Sequence, residues 1–176
     1  NSTKEAIYLT NSAKSAGADA ALLVTPYYNK PSQEGLYRHY SYIADEVHLP
    51  QILYNVPSRT GCDLLTETVL KLVPHDNVVG LKDATGDLDR LEETLSELVK
   101  LKINDFILYS GDDPTATEFM LKGGSGTISV TANVVPSLIA EICTKALSGD
   151  SPIATKLDLE LKELNEILFI ESNPIP

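Results

Sequence analysis

Short apolar runs alternate with amphipathic stretches along the chain. Five runs are nearly continuous in β-branched or other apolar residues, which is typical of parallel strands buried on both faces: Ala20–Thr25, Gln51–Val56, Val78–Lys82, Phe106–Ser110 and Thr127–Val130. The stretches around them carry apolar residues near helical spacing: residues 1–16, Gly35–Val47, Thr66–Val73, Leu88–Leu101, Pro114–Leu121, Pro136–Leu147 and Pro152–Phe169. The pattern predicts a repeating βα architecture.

The spacing of these runs narrows the fold to two architectures. Successive predicted strands end 20 to 29 residues apart, which is enough for a right-handed parallel crossover. Strict alternation then leaves an open doubly wound sheet or a (β/α)8 barrel. The first strand runs into Pro26-Tyr27-Tyr28 instead of a dinucleotide-binding glycine motif, so the α/β TIM barrel is favoured.

Five strands are too few to close such a barrel. We expect residues 1–135 to form about five βα units of it, with the remaining strands before Asn1. Residues 136–176 are then the last barrel helix and the start of a C-terminal helical region. Ser32, Asp87 and Asp113, the last directly before Pro114, are predicted helix caps.

Composition and charge exclude several functional classes. The 176 residues are 43% hydrophobic and carry a formal net charge of −11, which argues against a nucleic-acid or anionic-membrane surface. No apolar run approaches the roughly 20 residues of a membrane span, and residues 1–16 lack the apolar core of a signal peptide. We therefore expect a cytoplasmic protein. Cys62 and Cys143 have no metal-type spacing and are expected to be buried or half-buried.

Polar residues at the carboxyl ends of the predicted strands are the candidates for chemistry, because those ends converge on one site in a barrel. Lys82 ends an otherwise apolar strand, where burial lowers the pKa of an amine and makes it a nucleophile. Tyr54 ends the preceding strand and can carry protons, and Arg59 in the following loop can bind a carboxylate. The alternatives are a Lys82 that ends in solvent or pairs with Asp83, a Tyr54 that only fills a barrel layer, and a solvated Arg59.

Other polar features have simpler interpretations. His39, His48 and His75 are predicted to be surface residues, and the acidic run Asp158–Glu166 a solvated helix face. Asp112-Asp113 resembles a metal pair, but a helix cap accounts for Asp113. The glycine cluster Gly123-Gly124-Ser125-Gly126 precedes a strand, so we interpret it as a tight αβ turn and not as a phosphate site.

Several motifs resemble the dihydrodipicolinate synthase family, a branch of the pyruvate-dependent class I aldolase superfamily that includes N-acetylneuraminate lyase. The main strings are Leu53-Tyr54-Asn55-Val56-Pro57-Ser58-Arg59-Thr60-Gly61 and Gly80-Leu81-Lys82-Asp83-Ala84-Thr85-Gly86. Further support comes from Val24–Pro31, Ser110–Asp113, Gly126–Asn133 and the closing Asn-Pro-Ile-Pro. The resemblance covers essentially the whole chain.

The resemblance implies a (β/α)8 homotetramer, a dimer of dimers, that condenses pyruvate with L-aspartate 4-semialdehyde on the diaminopimelate route to lysine. Lys82 would form the Schiff base, Tyr54 would relay protons, and Arg59 would bind the semialdehyde carboxylate. Tyr28 would reach into the neighbouring subunit's site, and the backbone around Ile128 would help to place the lysine. No metal or organic cofactor is implied.

The resemblance also implies a regulatory site. Asn1, Glu5 and Tyr27 match positions at which lysine binds as a feedback inhibitor; a polar helix start with an ordinary cap is the alternative. The family's glycine-threonine-threonine motif and the tail after the Asn-Pro-Ile-Pro segment are not in these residues. The alternatives for function are an N-acetylneuraminate lyase or other 2-keto-acid aldolase, which would share Lys82 and Tyr54, and a non-catalytic fragment or binding domain.

Overall fold

The computed structural model describes residues 1–175, in which parallel strands alternate with helices. The strands are β1 Ala21–Val24, β2 Gln51–Asn55, β3 Val78–Asp83, β4 Ile107–Ser110 and β5 Gly126–Thr127. The α-helices are α1 Thr3–Ser15, α2 Gln33–Glu46, α3 Pro57–Thr60, α4 Thr66–Leu72, α5 Leu88–Lys100, α6 Ala116–Leu121, α7 Pro136–Leu147 and α8 Ser151–Leu168. Two short 3₁₀ helices, Asp113–Thr115 and Thr131–Asn133, follow β4 and β5.

The order of the strands identifies the sheet as barrel wall. Neighbours are consecutive, β1-β2-β3-β4-β5, and every pair is parallel. A doubly wound sheet reverses its strand order at a switch point, and this sheet has no reversal within the described residues. The barrel prediction is confirmed over the open sheet.

The two faces of the sheet have different surroundings. In β2, Gln51, Leu53 and Asn55 are buried, whereas Ile52 and Tyr54 are half-buried. Leu53 belongs to the main apolar core, in which the sheet packs against its helices. The in-register row Val24, Tyr54, Lys82 and Tyr109 therefore lies on the opposite, inner face.

A second apolar cluster joins α6, α7 and α8. Its buried members are Met120, Ile142, Ala146, Ala154 and Leu161. On this basis we propose the division at residue 135, with residues 136–176 as the last barrel helix and the start of a C-terminal helical region; Pro176 lies outside the described residues. None of the helices in residues 1–175 combines the length and apolar character that a membrane span requires.

The fifth strand differs from its predicted bounds. Thr127–Val130 is rich in β-branched residues, but the strand covers Gly126–Thr127. The backbone N–H groups of Val130 and Thr131 each donate to Asp113 Oδ2 at 2.9 Å, which turns the chain into the 3₁₀ helix that follows. The prediction of Asp113 as a helix cap is wrong for the same reason, because its carboxylate bonds across to this segment. Ser32 and Asp87 cap α2 and α5 as predicted.

Further corrections concern single turns and single side chains. Arg59 lies in the one-turn helix α3, not in a loop, and Gly61 ends that turn at φ 73°. His39 is buried, contrary to prediction, and its Nδ1 lies 2.8 Å from Thr3 Oγ1. The glycine cluster forms the predicted αβ turn, in which a Cβ at Gly124 would meet Phe119 Cδ1 at 2.2 Å. Cys62 and Cys143 are half-buried free thiols, as expected.

Candidate active site

A cavity of about 810 Å³ opens at the carboxyl ends of β2, β3 and β4. It brings together Tyr54, Arg59 and Lys82, the three side chains that the sequence analysis singled out for chemistry. The segment after β4 and the end of α8 supply the opposite wall, which includes Asp113, Asn165, Glu166 and Phe169. The position beyond the strand ends is the one at which parallel barrels bind their ligands.

Lys82 is the buried amine of this cavity. The residue is 8% exposed, and its Nζ lies 4.2 Å from the centroid of the Tyr54 ring. Burial lowers the pKa of Lys82 below its ordinary value, and the negative charge of Asp113 opposes part of that decrease. Asp83 points to the other face, where it accepts from Thr85 Oγ1 at 3.0 Å. The alternative of a solvent-exposed or Asp83-paired lysine is therefore wrong.

Gly111, directly after β4, provides the space for the lysine side chain. A Cβ at this position would lie 2.7 Å from Lys82 Cε and 2.9 Å from Ala84 Cβ. Carbon atoms pack at about 3.5–4.0 Å, so no larger residue fits without moving the lysine. Glycine at position 111 is therefore required for the Lys82 side chain to occupy its observed position.

Tyr54 and Arg59 form the neighbouring part of the wall. Burial raises the pKa of the Tyr54 phenol, and the positive charge of Arg59 offsets part of that increase. Arg59 is exposed at the mouth of the cavity, where a guanidinium can hold a carboxylate through two parallel hydrogen bonds. The ring of Tyr54 neighbours the lysine amine, and its phenol feels the charge of Arg59, which is a setting suited to carrying protons.

A partly buried polar network supports the site from the outer face of the sheet. Asn55 Nδ2 donates to Asp63 Oδ1 at 2.8 Å and to Asp83 Oδ1 at 3.4 Å. Arg90 of α5 donates to both oxygens of Asp63, each at 2.7 Å. These hydrogen bonds hold the pKa of Asp63 below its usual range, whereas burial raises the pKa of Asp83. The network ties the segment after α3 to β2, β3 and α5.

Neither this network nor the contribution of α8 to the site was predicted from the sequence. Asp63 and Arg90 are 27 positions apart, so no local pattern links them. The acidic run Asp158–Glu166 is not simply a solvated face, because Asp158 is half-buried and Asn165 is 5% exposed. The available signal was a polar Asn165 within the apolar stripe that includes Leu161 and Leu164.

Two predicted residues lie apart from the cavity lining. Tyr28 is 87% exposed and adopts the left-handed φ of 70°. Ile128 is 38% exposed, and its N–H donates to Ser110 O at 2.9 Å. This bond fixes the backbone beyond β5 to the end of β4.

A second cavity, of about 520 Å³, lies between α1 and β1. Asn1, Glu5 and Tyr27 line it together with His39. Asn1 Nδ2 donates to the Tyr27 carbonyl at 3.4 Å, and burial lowers the pKa of His39 to about 4. The three residues singled out for a regulatory site are thus neighbours in space.

Comparisons with known proteins agree with this geometry. The family model described as the dihydrodipicolinate synthetase family matches residues 1–176. The chain is 57% identical to the 4-hydroxy-tetrahydrodipicolinate synthase of Pseudomonas savastanoi pv. phaseolicola, over 100% of this chain and 59% of that protein. It therefore spans about three-fifths of the length of the curated relatives that it matches.

Solved structures show the same fold. Dihydrodipicolinate synthase from Acinetobacter baumannii, complexed with pyruvate, is 54% identical with a TM-score of 0.93, over 99% of this chain and 59% of that one. The enzyme from Cyanidioschyzon merolae, solved with lysine bound, is 36% identical with a TM-score of 0.91, over 99% of this chain and 58% of that one.

Proposed function

Because the chain belongs to the dihydrodipicolinate synthetase family, we propose that the full-length protein is a lyase of lysine biosynthesis. It condenses pyruvate with L-aspartate 4-semialdehyde through a Schiff base on Lys82 and gives 4-hydroxy-tetrahydrodipicolinate, on the diaminopimelate route. The observation that carries this proposal is the buried Lys82 amine, 4.2 Å from the Tyr54 ring centroid in a cavity that Arg59 also lines.

The chemistry follows from an amine whose pKa is lowered by burial, next to a phenol. Lys82 Nζ attacks the ketone carbon of pyruvate, and loss of water leaves an imine. The imine withdraws electrons, so the methyl group loses a proton and becomes an enamine carbon. That carbon forms a bond to the aldehyde carbon of the semialdehyde, whose oxygen takes up a proton. The amino group of the semialdehyde then attacks the imine carbon, which closes the ring and releases the Lys82 amine. Tyr54 carries protons in these steps, and Arg59 binds the semialdehyde carboxylate.

The second candidate function is an N-acetylneuraminate lyase or another 2-keto-acid aldolase. It would use the same Lys82 and Tyr54, so the amine alone does not separate the two reactions. Arg59 in the Pro57–Gly61 segment favours the synthase, because this position matches the synthase branch. Incubation with pyruvate and aspartate semialdehyde, in parallel with N-acetylneuraminate alone, distinguishes them by which substrate is consumed.

Borohydride trapping tests the proposal directly. The full-length protein is incubated with [¹⁴C]pyruvate and reduced, and peptide mapping locates the label. We expect label on the Lys82 peptide and none after Lys82→Arg, because the guanidinium keeps the charge but offers no neutral amine. Lys4→Arg, on exposed α1, is the matched control and keeps the label. A labelled Lys82→Arg protein, or an unlabelled wild type, would contradict the proposal.

Further roles belong to the same proposal. Tyr28 completes the site of a neighbouring subunit in a cytoplasmic homotetramer, and the backbone around Ile128 helps to place Lys82. The cavity at Asn1, Glu5 and Tyr27 binds lysine as an inhibitor; the lysine-bound Cyanidioschyzon merolae structure supports this idea. Glu5→Gln is expected to weaken inhibition by lysine, and turnover unchanged at millimolar lysine in the wild type would contradict it.

A further inference from the structure

A buried carboxylate that was not predicted as a site residue faces the cavity that contains Lys82. Asp113 is 7% exposed, and one of its oxygens, Oδ2, accepts three hydrogen bonds. The donors are the N–H groups of Val130 and Thr131, each at 2.9 Å, and Thr131 Oγ1 at 3.1 Å. Within the described residues, Oδ1 has no hydrogen-bond partner, although Asp113 lines the cavity with Lys82.

The carboxylate is also fixed from α8. Asn165 Oδ1 lies 2.6 Å from Thr131 Oγ1, and both residues are almost fully buried, at 5% and 0% exposure. A hydroxyl has one proton, so both contacts of Thr131 are satisfied when the Asn165 amide is turned and Nδ2 donates to Oγ1. A hydrogen-bond chain then runs from Asn165 through Thr131 to Asp113.

Other charged or titratable groups share the cavity with the lysine. They are Tyr54 of β2, Arg59 of α3, Asp112 after β4, Glu166 of α8 and Glu171 beyond it. Asp112 is engaged locally, since its Oδ2 accepts from Thr115 Oγ1 at 2.7 Å. Asp113 is the carboxylate that three donors hold rigidly against the wall of the cavity.

We propose that Asp113 is a positioning residue. It acts as the fixed counter-charge of Lys82, and it anchors the 128–131 segment at the wall of the cavity. This role rests on the proposed function for its purpose, since an amine balanced between charged and neutral forms suits imine chemistry. The effect of the Asp113 charge on the Lys82 amine does not depend on which reaction the cavity carries out. In support, the charge of Asp113 acts against the lowering of the Lys82 pKa by burial.

The pH dependence of Lys82 reactivity tests the proposal independently of pyruvate. In the full-length protein, reductive methylation by formaldehyde and cyanoborohydride is followed at Lys82 by peptide mass spectrometry, with exposed Lys4 as internal reference. Asp113→Asn keeps an oxygen for the three donors but removes the charge. We expect the apparent pKa of Lys82 to fall by roughly 0.5–1 pH unit. An opposite charge in direct contact shifts a pKa by about 1–3 units, and the effect is smaller here because Asp113 acts across a water-accessible cavity.

The matched control is Asp158→Asn. Asp158 also ties α8 to the barrel, through Thr117 Oγ1 at 2.6 Å, but it lies outside the lysine cavity, so the Lys82 pKa stays at its wild-type value. An Asp113→Asn protein with an unchanged or raised Lys82 pKa would overturn the counter-charge. If pyruvate trapping fails in the wild type while this shift is present, the proposed function fails and the counter-charge stands.

A second variant covers loss of folding in Asp113→Asn. Thr131→Val keeps the Asp113 carboxylate and removes one of its three hydrogen-bond donors, so the negative charge on Asp113 is less neutralised by its neighbours. The Lys82 pKa is then expected to stay at or above the wild-type value, and a decrease would overturn the proposal.

Discussion

Replacing Gly111 by alanine tests whether the proposed reaction of Lys82 with pyruvate depends on the space beside the end of β4. The added Cβ would lie 2.7 Å from Lys82 Cε and 2.9 Å from Ala84 Cβ. Restoring an ordinary carbon contact of about 3.5–4.0 Å moves the lysine side chain by about 1 Å. A displacement of that size lowers catalytic rates by up to about 100-fold, and overpacking costs about 1–3 kcal/mol of stability.

The assay is the rate of borohydride-trapped pyruvate adduct formation in the full-length protein, with thermal unfolding by circular dichroism measured alongside. We expect Gly111→Ala to lower the rate by roughly 10- to 100-fold, because the amine no longer occupies its wild-type position. The matched control is Gly35→Ala at the start of α2, where the nearest atoms would be 3.4 Å away and alanine favours the helix. A folded Gly111→Ala protein that traps pyruvate at the wild-type rate would refute the reasoning.

Three further predictions concern stability, measured by urea denaturation. Gly124→Ala places a Cβ 2.2 Å from Phe119 Cδ1 and is expected to cost roughly 1–3 kcal/mol; an unchanged midpoint would contradict this. Asp63→Asn weakens the paired bonds from Arg90 and is expected to cost roughly 0.5–2 kcal/mol near neutral pH, because Asp63 is 34% exposed and solvent screens part of the interaction. Because the pKa of Asp63 is lowered in the fold, this contribution is present above the ordinary carboxyl pKa and lost as pH falls through the lowered one, so wild type and variant converge in acid. Burial lowers the pKa of His39 to about 4 from 6.5, so the unfolded state binds an additional proton between these values. The contribution of neutral His39 to the free energy of unfolding is therefore complete above pH 6.5 and declines by up to about 1.4 kcal/mol per pH unit below it. His39→Gln is expected to remove this pH dependence of the free energy of unfolding, whereas the control His48→Gln, at an exposed residue, retains it.

The sequence was sufficient to predict those features of the fold and site that depend on neighbouring residues in the chain. The apolar run before Lys82 predicted both a buried strand and a desolvated amine at its end, and β3 has both features. Consecutive parallel strands could be expected from the βα spacing, and with them the meeting of Tyr54 and Lys82. Arg59 was correctly placed beyond the end of β2. Its one-turn helix was missed, because Pro57 and Gly61 are also typical of a loop.

The predictions failed where the cause is a distant side chain. Thr127–Val130 has the composition of a strand, but the backbone N–H groups of Val130 and Thr131 donate to the Asp113 carboxylate instead of to a neighbouring strand. Asn165 lies 34 positions from its partner Thr131, and a single asparagine in an amphipathic helix does not reveal that partner. The burial of His39 depends in the same way on the packing of α1 against α2. Such contacts require the fold to be known first.

Alternation along β2 and β3 explains how the cavity combines a desolvated amine with a rigid wall. Tyr54 and Lys82 are register partners on the inner face, and the next pair, Asn55 and Asp83, faces the helices. Each residue of chemical interest is thus followed by one that is buried and hydrogen-bonded on the other side of the sheet. A strand end held in this way cannot rotate its lysine without breaking the polar network behind it. The amine can therefore be desolvated and still remain in place, which is the condition that imine formation at a fixed carbon requires.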